Sequence, residues 1–213
     1  MKMKRTFTVA IAALGLGLAS AHAVDGDAKS GQQAAAICAA CHQVDGNGMN
    51  IPGGESWPRL AGLDADYLLK QLQDMKSGKR TSATMTPFAN MLSEQQMRDV
   101  AVYFSQLPTR SAKGGEKASA DELAHGEKLA TVGDWDRYIV PCQSCHGPDN
   151  QGVGAHFPGI AGQHADYLAG QLRAWKNGTR DNDPQHLMLA IAERLDERDI
   201  RAVSQWLSRQ SAR

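Results

Sequence analysis

The chain has 213 residues, with 23 basic and 23 acidic side chains that cancel to a formal charge of zero and no block of lysine or arginine. This balance argues against nucleic acid or an anionic membrane surface as the main partner. Aromatic residues make up only 6%, so a domain of about 90 residues built from this composition has little apolar surface to bury and needs help to form a core.

The N-terminus opens Met1-Lys-Met-Lys-Arg5, continues from Phe7 to Ala19 as an apolar run, and reaches Ala21-His22-Ala23, the small-x-small form of a signal-peptidase site. The run is short and glycine-rich, below the ~20 residues that span a bilayer. Residues 1–23 therefore read as a signal peptide cleaved after Ala23, not as a retained anchor, and the mature protein is expected in the periplasm. Cleavage leaves 190 residues with 20 basic and 23 acidic side chains, a net charge of −3. No later segment is apolar enough to cross a membrane, so peripheral association is the most that is expected.

Downstream, one order of elements occurs twice. In residues 24–107 a short helix precedes Cys38-Ala-Ala-Cys41-His42, followed by a Gly/Pro loop, a middle helix near 64–77, a second loop and a final helix. Tyr67, Leu68, Gln71, Leu72 and Met75 fall at helical spacing on the middle helix, and Ser93-Glu-Gln-Gln96 is a capping signal for the last one, with Val100, Tyr103, Phe104 and Leu107 as its apolar face. Residues 108–120 are small, polar and charged, with a Gly pair and no apolar periodicity, and read as a surface linker. Residues 121–213 repeat the first domain around Cys142-Gln-Ser-Cys145-His146. Tyr67-Leu-Leu-Lys-Gln71-Leu72 returns as Tyr167-Leu-Ala-Gly-Gln171-Leu172 at an offset of 100, as do Trp57-Pro58 (Phe157-Pro158) and Lys76-x-Gly78-x-Arg80 (Lys176-x-Gly178-x-Arg180). Asp196-Glu-Arg-Asp199 opens the last helix, whose apolar face is Ile200, Val203, Trp206 and Leu207. No strand pattern stands out, and the fold class is all-α.

The two Cys-x-x-Cys-His motifs use all four cysteines. On a helical turn residues three apart share a face, so both thiols reach the two vinyl groups of one porphyrin as thioethers, and the histidine that follows meets the iron. A single zinc site would have to join cysteine pairs 104 residues apart and would leave both histidines unexplained. The expectation is two covalent haem c groups, with thioethers at Cys38, Cys41, Cys142 and Cys145 and iron ligands at His42 and His146. Each haem would form a large part of its domain's core, and a haem-free chain is expected to fold poorly.

The sixth iron position separates an electron carrier from a catalytic haem. Beyond residue 116 the only methionine is Met188, in the loop seven residues before Leu195; the local offset of 103 maps it onto Met85, seven residues before Leu92. Met91 maps onto Arg194, Met97 onto Ile200 and Met75 onto Trp175, and Met49 lies in a loop extension. Gap-filling in the core is the commoner fate of a methionine, but matched positions downstream of matched haem motifs favour ligation by Met85 and Met188. His186 is a rival to Met188, although its counterpart is Ala83; His125, His156 and His164 read as exposed or hydrogen-bonded. Pro58 and Pro158 have two readings of equal weight. Each ends a loop, or each offers a carbonyl to the free nitrogen of the haem histidine.

With these motifs the chain resembles the dihaem cytochromes c4 over nearly its whole mature length, most specifically at Ala40-Cys41-His42 with Gly46-Asn-Gly48 and at Cys145-His146-Gly147 with Gly152-Val-Gly154. The resemblance implies two tandem class I cytochrome c-like domains, each wrapped around one covalent haem, related by a pseudo-twofold axis with the haems facing each other. It also implies a carrier of single electrons from a quinol-oxidising complex or a dehydrogenase to a terminal oxidase or another periplasmic acceptor. The alternatives are a cytochrome subunit held by a periplasmic dehydrogenase and, disfavoured because every cysteine is committed and a methionine is available for each iron, a dihaem enzyme with an open site. One stretch departs from the repeat. Residues 127–141, with Trp135 and Tyr138, have no counterpart of similar length between Gly31 and Cys38, and either pack on the second haem or form a docking surface.

Overall fold

A computed structural model describes residues 24–112 and 117–213. The expected signal segment and residues 113–116 of the expected linker lie outside the described residues. These contain ten α-helices and no strand, only isolated bridges at Met49–Trp57, Asp134–Ile139 and Val153–Phe157.

In the N-terminal half the helices are α1 (Ala28–Ala34), α2 (Ala39–His42), α3 (Ala65–Lys76), α4 (Met85–Met91) and α5 (Glu94–Ser105). The C-terminal half repeats them as α6 (Ala120–Thr131), α7 (Gln143–His146), α8 (Ala165–Lys176), α9 (Leu187–Ala192) and α10 (Glu197–Ser208). Both final helices start with reciprocal capping boxes: Ser93 accepts from the Gln96 N–H and Asp196 from the Asp199 N–H, while the residue-96 and residue-199 side chains reach back to the cap. The middle helices end in left-handed glycines, Gly78 at φ +80° and Gly178 at φ +68°, where a side chain would be strained.

Each half is a three-helix wrap in which α5 packs on α1 and α3, and α10 on α6 and α8. Tyr67, Leu68, Val100, Ala101 and Phe104 form one core cluster; Leu168, Ala169, Ile200, Val203 and Leu207 belong to the other. Val100, Phe104, Ile200, Val203 and Leu207 are among the apolar faces read from the sequence, whereas Tyr103, Leu107 and Trp206 of those faces are only partly buried against the clusters. The closest crossings occur at Gly31 and Gly126, whose Cβ positions would lie 2.0 Å from the Asp99 carbonyl oxygen and 2.2 Å from that of Ala202.

Two local expectations need correction. The loop expected to hold Met85 and Met188 contains a short helix in each half: Met85 is the first residue of α4 and Met188 the second of α9. At seven and six residues these helices are too brief to show a period, and side-chain acceptors before them, not a capping motif of the usual form, satisfy their first N–H groups. The helix before the second haem motif is also longer than expected, twelve residues in α6 against seven in α1. Residues 109–112 of the connecting segment are tied down: Arg110 N–H donates to Asn47 in one half, while the Thr109 hydroxyl and Ala112 N–H donate to the carbonyls of Ala212 and Gly162 in the other.

Candidate functional site

Each Cys-x-x-Cys-His motif forms a single helical turn, closed by hydrogen bonds of 2.9 Å from His42 N–H to Cys38 O and from His146 N–H to Cys142 O. The chain then reverses at left-handed Gln43 (φ +62°) and Gly147 (φ +77°). The histidine carbonyls accept from Gly48 and Gly152, and the carbonyls of Gly46 and Asn150 accept from the N–H pairs of residues 60–61 and 160–161. These matched loop closures deliver Pro58 and Pro158 to the histidines: His42 Nδ1 lies 2.9 Å from Pro58 O and His146 Nδ1 lies 2.7 Å from Pro158 O. Of the two roles open to these prolines, the hydrogen bond is present in both halves.

A carbonyl can only accept, so each Nδ1 carries the proton and each Nε2 keeps its lone pair. Burial pushes both imidazoles below their usual pKa, outweighing the opposite pull of the proline carbonyl, and so favours the neutral, ligating form. No disulfide joins any of the four cysteines. Burial raises the thiol pKa of Cys38, and that of Cys142 to about 11.

The motifs open into separate cavities, which rules out one zinc site assembled from all four cysteines. The first, about 680 Å³, is lined by Cys38, Cys41, His42 and Met85 together with Leu63, Leu68, Leu72, Val100 and Phe104. The second, about 140 Å³, is lined by Cys142, Cys145, His146 and Met188 with Leu129, Ile139, Leu172, Val203 and Leu207. An apolar slot holding two thiols at one edge, one neutral imidazole with a fixed tautomer and one thioether is the donor set a covalent haem requires. Met75 and Met91 also line the first cavity; Met188 is the one methionine among the lining residues of the second. His186 does not line that cavity and is exposed beside Asp181.

The cavities adjoin across the domain boundary, and Tyr67, Gln71, Tyr167, Gln171 and Arg180 line both. Arg80 donates to Gln71 Oε1 (2.9 Å), Gln171 Oε1 (3.0 Å) and the Tyr167 hydroxyl (3.2 Å); Arg180 donates to Gln171 Oε1 (2.6 Å) and Gln71 Oε1 (3.3 Å). Each arginine thus reaches the other half's glutamine, the reciprocity expected of a twofold-like contact. A second lock lies nearby. Gln163 accepts from Arg59 N–H and donates to Arg59 O, at 2.8 and 2.9 Å. In the sequence the tyrosines and glutamines stand out only as helix-face residues, and helical spacing alone does not reveal this interface. Its signal is the recurrence of Gln and Arg at one offset in both halves.

Trp135 and Tyr138 are 63% and 78% exposed, and neither lines the second cavity. The extra segment meets that cavity through Ile139, Val140 and Pro141, and Arg137 anchors it through 2.7 Å contacts with Asp134 and the buried Asp199.

The family model for cytochrome c matches residues 28–108 and again 119–211. The chain belongs to the cytochrome c family. As in other cytochromes c of this tandem kind, two covalent haem c groups attach at Cys38 and Cys41 and at Cys142 and Cys145. The chain is 40% identical over 196 residues to a cytochrome c4 of Pseudomonas aeruginosa, covering 91% of this chain and 94% of that one. It is 43% identical over 175 residues to a thiosulfate dehydrogenase electron acceptor of Stutzerimonas stutzeri, covering 82% and 79% of the two chains. The crystal structure of reduced recombinant cytochrome c4 from Pseudomonas stutzeri superposes with a TM-score of 0.77 at 37% identity, over 87% of this chain and all of that one. The protein is therefore a dihaem electron-transfer cytochrome of the c4 family, built from two all-α cytochrome c domains, and it works with redox partners.

Proposed function

We propose that both irons are six-coordinate, His42 and Met85 binding the first and His146 and Met188 the second, and that the protein shuttles single electrons in the periplasm without a catalytic site of its own. The observation that carries this reading is the matched donor set: each cavity combines a thiol pair, an imidazole whose Nδ1–H is held by a proline carbonyl, and a methionine at the equivalent repeat position. The competing methionines of the first cavity lack such counterparts, and Met91 is 68% exposed.

Bound haem supplies a one-electron ferric–ferrous couple. The proline carbonyls hold the imidazole planes and increase the basicity of Nε2. Thioether sulfur is soft and favours ferrous iron, which raises the potential and fills the position that oxygen or peroxide would need. Leucine, valine and phenylalanine side chains line both cavities and would keep water from a bound iron, so that little reorganisation would accompany the change of charge.

A pyridine haemochrome count followed by the red methionine-to-iron charge-transfer band of the oxidised protein tests the ligands. Two haems and a full-strength band are expected; half a band or none overturns one or both methionine assignments. In Met188→Ala the second haem should bind carbon monoxide while covalent haem content stays at two.

The donor is the second question. Relatives 43% and 42% identical carry the name thiosulfate dehydrogenase electron acceptor, which favours a periplasmic thiosulfate-oxidising dehydrogenase as donor over a general quinol-oxidising complex, with a terminal oxidase or another respiratory acceptor downstream. Stopped-flow mixing of the oxidised cytochrome with purified thiosulfate dehydrogenase and thiosulfate should reduce both haems within turnover time. Slow reduction there, with fast reduction by a quinol-oxidising complex, would favour the general respiratory carrier.

A further inference from the structure

The repeat matches the two haem cavities part for part and thereby exposes where their charges differ. The first difference lies under the methionines. Met85 N–H donates to the neutral Ser82 hydroxyl at 3.0 Å, whereas Met188 N–H donates to the Asp183 carboxylate at 2.7 Å. The other oxygen of that carboxylate, Oδ1, is buried and has no hydrogen-bond partner, and Asp183 lines the second cavity. A full negative charge thus stands beside Met188 where the first cavity has a neutral hydroxyl beside Met85, and the interaction of such a charge with the site is strengthened by a low-dielectric surrounding.

The second difference follows the histidine-holding prolines. After Pro58 comes Arg59, which is 2% exposed and lines the first cavity only. Its guanidinium donates to two neutral carbonyls, Ala61 O and Ala161 O, while Nε has no partner. Among the described residues no carboxylate pairs with it, and burial lowers its pKa only to about 10, so it stays cationic at neutral pH. After Pro158 comes Gly159, where a Cβ would lie 2.6 Å from the Gln151 carbonyl oxygen. Position 159 therefore has no room for the side chain that an equivalent arginine would need.

The remaining charges do not reverse the pattern. Arg180 lines both cavities, and Arg80, of the same sign as Arg59, lines the first alone. Lys70 lines the second but is ion-paired with Asp74. Of the carboxylates at the first cavity, Glu55 is exposed and Asp166 accepts a hydrogen bond from Asn50.

We propose that Asp183 and Arg59 drive the two reduction potentials apart, Asp183 stabilising the ferric state of the C-terminal haem and Arg59 the ferrous state of the N-terminal haem, so that they bias a shared electron toward the N-terminal site. Reduction adds one negative charge to a site. A fixed anion beside it opposes that charge and a fixed cation favours it. In the exchange between the halves the C-terminal iron is oxidised as the N-terminal iron is reduced; one electron crosses and no proton or bond moves. The inference rests on the axial ligation proposed above, because Asp183 acts on the iron through its position beside Met188.

The test is a spectroelectrochemical titration of the holoprotein that resolves two one-electron components, with Met188→His used to mark the C-terminal one by its downward shift. Asp183→Asn should raise the C-terminal component alone and Arg59→Gln should lower the N-terminal component alone. Each should change the equilibrium ratio between the haems about tenfold, equivalent to about 59 mV for one electron. Arg59→Lys should restore most of the wild-type value. The charge-transfer band separates the two ways of failing. If it is absent from the wild type, the methionine ligation is wrong and this inference falls with it. If it is intact in every protein but the potentials do not move, or both components move together, the charge assignment alone is overturned. If it is lost only in Asp183→Asn, Asp183 is a structural support for α9 and its electrostatic role is refuted.

Discussion

Asp199 shows how a single buried carboxylate is kept ionised. It accepts two hydrogen bonds from Arg137 (2.7 and 3.2 Å), a 2.7 Å contact from His125 Nε2, and the capping contact at the start of α10. Burial alone would raise its pKa, but the Arg137 hydrogen bonds, the Asp196 backbone contact and the His125 contact outweigh it and bring the group from 3.8 to about 2. A carboxyl group whose pKa is lower when folded contributes stability above its unfolded pKa and loses it as the pH falls through the folded one. The contribution should therefore be complete above about pH 4 and gone near pH 2, amounting to about 1–2 kcal/mol after allowance for solvent screening. Urea unfolding of the wild type and Asp199→Asn from about pH 2 to about pH 6 measures it: the stability gap between them should close toward the acid end. A gap that is constant with pH would show that the ionised form carries no advantage.

At the scale of elements, the two final helices organise the molecule, and glycines set how closely α1 and α6 approach them. A methyl group at Gly126 would meet the Ala202 carbonyl, backbone that cannot swing aside, so the helices must separate. Gly126→Ala should cost about 2–3 kcal/mol, at the upper end for overpacking, read by urea unfolding with haem content unchanged. Gly170 provides the contrast. It lies exposed within α8, and a Cβ added there would meet nothing within 4 Å, so Gly170→Ala should stabilise by about 0.5–1 kcal/mol through helix propensity alone. A similar effect at both positions would contradict the close-crossing account. The lysines of the Lys-x-Gly-x-Arg repeat join the same elements: Lys76 donates to Leu92 O and Lys176 to Leu195 O, fastening the end of each middle helix to the start of the last one.

For the whole molecule, the apolar walls of each half face a cavity as much as they face each other. With so few large side chains to close these spaces, the prosthetic groups complete both cores. Protein produced without haem attachment should lose cooperative unfolding and most of its helical far-ultraviolet signal; a native-like spectrum and a sharp transition would show that the polypeptide core suffices. Polar contacts join the halves, through the Arg80–Gln171 and Arg180–Gln71 exchanges and the Arg59–Gln163 pair. Gln71, Gln171 and Arg180 line both cavities.

What the amino-acid sequence determined by itself is local in the chain or repeated along it. The Cys-x-x-Cys-His turns, the two capping boxes and the helical spacing of Tyr67 to Met75 depend on residues a few positions apart, and the hundred-residue offset reveals the second domain without any contact being known. Tertiary structure decided everything that joins distant residues. It chose between the two roles of Pro58 and Pro158, because the carbonyl meets the imidazole only when the intervening loop closes. It left Trp135 and Tyr138 exposed and took their neighbour Ile139 into the core instead. α4 and α9 are an exception, local in the chain yet too short to show a period, with Ser82 and Asp183 three and five residues before Met85 and Met188 as acceptors. Tertiary structure also made an interface of Gln71, Arg80, Gln171 and Arg180, whose pairing belongs to no segment of the chain and exists only once the two halves meet.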